Sequence, residues 1–200
     1  MNKLVIASGN IGKIIEIKAI LKELPLNVVS MKDEGYDIKF DETGTAFCEN
    51  ALIKANSLSK LVNGSVLADD SGLEIDFLNG APGVYTARFG GNNISQEEKN
   101  KKILELLVGV DKKDRTARFV CSIAFVSEKI NFTVNGSIEG IISEKPAGDE
   151  GFGYDPIFFV PEYNKTFAQL PEKIKNNISH RAKALDKLKQ KLLTIYDSKI

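Results

Sequence analysis

Apolar residues open the chain as a short unbroken run, KLVIAS (3–8), which reads as a buried strand. Beyond the polar turn SGNIGK, the stretch KIIEIKAILKEL (13–24) spaces Ile14, Ile17, Ile20, Leu21 and Leu24 as one face of a helix, and Pro25 stops it. NVVSM (27–31) is a second strand. AFCENALIKANSLSKLV (46–62) returns to helical spacing through Phe47, Ala51, Ala55, Leu58 and Leu61, closed by Asn63-Gly64.

SVLADD (65–70) is again a strand, with two acids at its end, and LEIDF (73–77) continues extended beyond Ser71-Gly72. GAPGVYTARFGG (80–91) is rich in turn residues. Ser95 and Glu98 have the spacing of a capping box for a helix over 96–108. TARFVCSIAFVS (116–127) and INFTVNGSIEGIIS (130–143) are β-rich and joined by Glu128-Lys129, which predicts a hairpin. A loop marked by glycine and proline, EKPAGDEGFGYDP (144–156), precedes the strand IFFV, and Ser179 caps a last helix reaching about residue 196. Strands and helices alternate first and hairpin structure dominates later, which predicts an α/β fold on a mixed sheet. With no composition break or repeat, the chain reads as a single domain over 1–200.

Composition narrows the partners. Lys+Arg and Asp+Glu balance at 27 each, so no basic field draws the chain to a nucleic acid polymer or an anionic membrane. The expected partner is a small molecule in a local site. Cys48 and Cys121 lie far apart and His180 is the lone histidine, which argues against structural zinc and a disulfide framework. The first apolar run is too short for a signal-peptide core, and no apolar run has membrane length, so a cytoplasmic protein with reduced thiols is expected.

Four stretches carry candidate chemistry. In SGNIGK, Ser8, Gly9, Asn10, Ile11, Gly12 and Lys13 join a strand to a helix, where glycines at positive φ would let amides converge on an anion. The spacing fits neither a P-loop nor a Rossmann fingerprint, and a bare strand-to-helix turn explains it equally well. Lys13 lies in the first helical turn, where the dipole disfavours a cation; a bound phosphate would reverse that sign. In LADDSGLEID, the adjacent Asp69 and Asp70 repel each other unless a cation is near, and magnesium suits such a place. An acidic turn is the alternative. Asp41, Glu42, Glu49 and Lys54 have ordinary readings as helix caps or a solvated face, and spacing makes none of them a ligand.

In GFGYDPIFF, glycines flank Phe152 and Tyr154, so either ring could stack on a flat ligand, or both could be core aromatics. In ISHRAKAL, His180 and Arg181 follow the Ser179 cap as cations at a helix start, a broken local rule of the kind that marks sites, with Lys175 five residues upstream.

Six stretches together, SGNIGK, DETGTAFCENALIKA, ADDSGLEID, GAPGVYTARF, GFGYDPIFF and ISHRAKAL, run nearly end to end and closely resemble the inosine/xanthosine triphosphate pyrophosphatase family. The resemblance implies an elongated mixed β-sheet flanked by helices, two lobes with a central substrate cleft, and a homodimer. It implies Mg²⁺-dependent hydrolysis of a deaminated purine nucleoside triphosphate to the monophosphate and pyrophosphate. By the same resemblance, Ser8 to Lys13 would hold the triphosphate and Asp70 would accept the proton of the attacking water. Asp70 and Glu42 would bind the metal, and Ser71 would touch substrate. Phe152, Gly153, Tyr154, Asp155, Lys175, His180 and Arg181 would form the nucleotide pocket. Asp149-Glu150 departs from the small residues expected before GFGYDP. Two other readings stay open: a catalytically silent nucleotide binder, and a pyrophosphatase for other non-standard bases.

Overall fold

The computed structural model describes residues 2–91 and 93–197; Met1, Asn92 and 198–200, included in the expected 1–200 domain, lie outside the described residues. The strands are β1 (Asn2–Ile6), β2 (Leu26–Ser30), β3 (Ser65–Ile75), β4 (Thr116–Val126), β5 (Asn131–Ile142), β6 (Phe158–Val160) and β7 (Lys165–Thr166). The helices are α1 (Ile11–Leu21), α2 (Phe47–Ser59), α3 (Gln96–Leu106), α4 (Glu172–Ile178) and α5 (His180–Asp197). The strands form one mixed sheet in the order β2-β1-β3-β4-β5-β6-β7. β1 pairs in parallel with β2 and β3, whereas β6 is antiparallel to β5 and β7. The fold is therefore α/β, as the alternation of elements predicts. The expected hairpin is present: β4 and β5 are neighbours, and Ser127 N donates to Ile130 O at 3.0 Å in the turn between them.

Several elements differ from the sequence reading. α1 begins at Ile11 rather than Lys13, because Asn10 caps it. The expected strands at 65–70 and 73–77 are one strand, β3, so Asp69 and Asp70 lie inside it rather than at its end. α4 and β7 carry no apolar stripe long enough to announce them.

The chain divides into two compact units. The first comprises the described residues up to Asp70, Cys121–Gly136, and those from His180 onward; the second comprises Ser71–Val120 and Ser137–Ser179. In the first unit the strand alternation sorts side chains to two faces. Leu4, Ile6 and Leu67 pack with Ile17 and Leu21 of α1 and Leu185 and Leu188 of α5. Val5, Ala7, Val66 and Ala68 pack with Ala51, Ala55 and Leu58 of α2. A Cβ on Gly136 would lie 2.2 Å from the His180 carbonyl oxygen, so glycine is what lets the start of α5 rest on β5. The second unit has its own core around Leu73, Ile103, Phe119, Tyr154, Phe158 and Phe167.

Candidate active site

The turn after β1 is fixed by its own side chains. Ser8 Oγ accepts from Asn10 N at 3.1 Å, and Asn10 Oδ1 accepts from Lys13 N at 3.1 Å, which caps α1. Neither Gly9 nor Gly12 takes a left-handed φ. The glycine-built nest expected at positive φ is thus absent, and what the turn offers an anion is the N-terminus of α1 with its dipole. A Cβ on Gly9 would meet nothing within 4 Å, so the space beside the turn is open.

Lys13 reaches from that first turn to Asp69 Oδ1. Asp69 Oδ2 accepts from Arg181 Nε at 3.0 Å and from the Cys121 thiol at 2.9 Å, and Arg181 Nη1 donates to Glu16. Asp69 and Arg181 are each 1% exposed. Burial alone would push the Asp69 carboxyl up, but the charges of Arg181 and Lys13 outweigh it and hold it well below the usual carboxylate range. Burial, with Asp69 alongside, pushes the Cys121 thiol well up, so it stays a protonated donor. The misplaced cations at the starts of α1 and α5 are therefore compensated by carboxylates of the same unit.

Asp70 has different company. Lys54 of α2 lies 2.7 Å from Asp70 Oδ1 and 2.8 Å from Glu42 Oε1. Two carboxylates share the Lys54 ammonium. Burial raises Asp70 above the ordinary carboxylate value against the pull of Lys54, and Glu42 adds to the rise. Burial pulls the other way on Lys54, yet the two acids carry its ammonium above the usual lysine value. This donor set fits a hard divalent cation, which takes one or two carboxylates and completes its shell with water and phosphate oxygens. Among the described residues no cluster of three His, Cys, Asp or Glu side chains is arranged as a metal cage. Glu49, by contrast, is a helix cap: its Oε2 accepts from Thr45 N at 2.7 Å and Ala46 N at 3.3 Å.

The second unit gathers the aromatic loop. Lys175 Nζ lies 2.6 Å from Asp155 Oδ2, which also accepts from Phe152 N at 2.8 Å. The same ammonium stands 4.6 Å from the centroid of the Phe152 ring. Gly151 and Gly153 have φ of 78° and 66°, and a Cβ on Gly151 would strike Asp155 Oδ2 at 2.1 Å. Of the two readings open for Tyr154, the core one holds: its ring is buried in the core and its hydroxyl donates to Thr86 O at 2.9 Å, whereas Phe152 is half-buried. Ser71 is half-buried on β3, and His180 is buried in the first turn of α5.

Sequence spacing missed Lys54 and Glu16, though it contained the signal. The buried face of α2 is Phe47, Asn50, Ala51, Lys54, Ala55 and Leu58, so Lys54 occupies a position of the apolar stripe. Glu16 does the same beside Ile17 on α1. A charge at a stripe position implies a buried partner.

Comparison with known proteins agrees with this geometry. The model of the Ham1 family matches residues 4–191. The chain is 48% identical over 199 residues to a dITP/XTP pyrophosphatase of Clostridium perfringens, covering 96% of this chain and 98% of that protein. Its fold superposes on a HAM1 protein from Coxiella burnetii with a TM-score of 0.87 at 41% identity, over 97% of this chain and 100% of the other. A nucleoside-triphosphatase / dITP/XTP pyrophosphatase from Mycobacterium abscessus gives a TM-score of 0.74 at 37% identity, over 93% and 98%. The protein belongs to the Ham1 family.

Proposed function

We propose that the chain is a pyrophosphohydrolase that converts deaminated purine nucleoside triphosphates, ITP, dITP and XTP, to the monophosphate and pyrophosphate, and so keeps them out of nucleic acids. The observation that carries this reading is the pair of carboxylates Glu42 and Asp70 brought together on one buried lysine, a donor set that suits a divalent cation, with the space beside the start of α1 open. The kinship to proteins named dITP/XTP pyrophosphatase supports the choice of substrate.

Glu42 and Asp70 are assigned to Mg²⁺, which when bound supplies positive charge to the phosphate oxygens and acidifies water. Lys54 occupies Asp70 Oδ1, so Oδ2 is the atom assigned to take the proton from the attacking water. The raised proton affinity of Asp70 suits it to that task. Ser8 to Lys13 hold the triphosphate at the α1 N-terminus, and Ser71 touches substrate. Lys13 keeps Asp69 neutralised until phosphate competes for its ammonium. The base belongs to Phe152, Gly153, Asp155, Lys175 and His180; Tyr154 supports the loop from the core, and Arg181 acts through its hold on Asp69. Donors facing O6 would reject adenine, whose amino group leaves them unpaired, by up to ~10⁴-fold.

The whole chain acts as one two-lobed domain in this reading, as a cytoplasmic homodimer. No helix among the described residues is long and apolar enough to cross a membrane. The test is a product assay with Mg²⁺ across ITP, dITP, XTP, GTP, ATP and pyrimidine triphosphates. Monophosphate plus pyrophosphate from the first three is expected. Diphosphate plus orthophosphate, or equal turnover of ATP, overturns the proposal.

A further inference from the structure

The loop bearing Phe152 has backbone in the left-handed region at Gly148, Gly151 and Gly153, which gives it little conformational stiffness of its own. Its Tyr154 packs in one core with Ile103 of α3, whereas Phe152 and its neighbours stand off from the helix. An open cavity of about 610 Å³ separates the two, lined by Gln96, Asn100 and Leu104 from the helix and by Pro146, Gly151 and Phe152 from the loop. Where apolar packing is missing, hydrogen bonds decide where a segment stands.

Across that gap Asn100 Nδ2 donates to Gly153 O at 3.2 Å. Asn100 is 6% exposed, and its Oδ1 accepts from Gln96 Nε2 at 3.1 Å, one helical turn earlier. The side chain of Asn100 is thus oriented at both ends, with its donor on the carbonyl next to Phe152. The opposite side of the loop is held by Asp155 and Lys175. Phe152 is therefore suspended between a charged tie and a neutral one, and loss of the neutral one lets the ring drift toward the cavity.

We infer that Asn100, steadied by Gln96, is a positioning residue that sets where Phe152 meets the purine ring, and so governs affinity for the base without touching substrate. The inference rests on the proposed pyrophosphohydrolase reading. Asn100→Asp keeps the shape and loses the donor; Asn100→Ala loses both. Each is expected to raise KM for dITP about tenfold with kcat within about twofold, the effect of one lost hydrogen bond with a carbonyl left unpaired. Inorganic tripolyphosphate, which has phosphates and no base, should inhibit wild type and variants with the same Ki.

An unchanged KM alongside a lowered Tm would reduce Asn100 to a structural residue and overturn the inference. A parallel rise in KM and in the tripolyphosphate Ki would do the same, since the damage would not be confined to the base. Should the Asn100 variants fail to fold, Gln96→Ala decides: KM about threefold higher supports the inference, and no change overturns it. Failure of the wild-type chain to hydrolyse dITP would instead count against the functional reading, a separate outcome.

Discussion

Asp69 and Asp70 are neighbours on one strand and stand in opposite surroundings. Asp69 and Glu16 face Lys13 and Arg181, two acids against two bases, almost wholly inside the protein. Asp70 and Glu42 share Lys54, and the Glu42 side chain keeps 25% of its exposure. The first cluster is neutral and closed, so its carboxylate is ionised and fully engaged. The second is reachable, and its carboxylate holds a proton more readily than usual. Environment, rather than residue type, divides a structural acid from a reactive one.

The sharpest way to break the comparison is to neutralise each aspartate in turn. Asp70→Asn should lower kcat for dITP at least ~10³-fold, the range for loss of a positioned general base, while thermal unfolding changes little. Turnover near the wild-type rate would remove Asp70 from the chemistry. Asp69→Asn should act on the fold. It takes from Arg181 and Lys13 the carboxylate they share, and loss of one partner of a buried pair costs about 3–5 kcal/mol. Chemical denaturation measures it, and a loss under about 1 kcal/mol would mean that Asp69 is not the keystone of the closed cluster.

Lys54 tests the second cluster by its charge balance. Lys54→Met removes the ammonium that Glu42 and Asp70 share, yet the Glu42 side chain keeps 25% of its exposure, so the loss should be smaller, about 1–2 kcal/mol. Added Mg²⁺ should then restore Tm in the variant more than it raises Tm in the wild type, because a ligand that binds only the folded state stabilises it by mass action. Equal shifts in the two proteins would separate the lysine from the cation site.

These clusters also mark where the sequence was legible. Helical spacing located α1 and α2 and cap residues located α3 and α5, and the Ser95–Glu98 capping box is present as expected, with Ser95 Oγ accepting from Glu98 N at 3.1 Å. The short helix α4 escaped notice, since of its seven residues only Lys175 is buried, with Ile174, Asn176 and Ile178 half-buried. The cations at positions 13 and 181 were rightly seen as anomalies of helix electrostatics, but a local rule cannot tell which anion resolves them. Asp69 lies 112 residues from Arg181, and Glu16 lies 165 away. Such partners are fixed by tertiary structure alone. Lys54 was different: its place on the apolar stripe of α2 was available from spacing, and the polarity of lysine hid it.

An exposed carboxylate completes the series from closed to open. Asp33 follows β2, accepts from Ser30 N at 2.9 Å and from Lys18 Nζ at 3.0 Å, and has a side chain 52% exposed. The Ser30 amide, with Lys18 and the Ser30 hydroxyl, lowers its carboxyl from 3.8 to about 2. Because the folded value is the lower one, Asp33 stabilises the fold above its unfolded pKa, and that contribution fades as pH falls from about 4 toward 2. Solvent screens the pair, so Asp33→Asn should lower Tm at neutral pH by about 2 °C or less. The gap between variant and wild type should close as the pH approaches 2. A gap that persists there would show that the amide hydrogen bond, which asparagine can partly keep, matters less than the shape of the turn. Together with the two buried clusters, this would rank the three acids by enclosure: large and structural at Asp69, chemical at Asp70, and small and pH-dependent at Asp33.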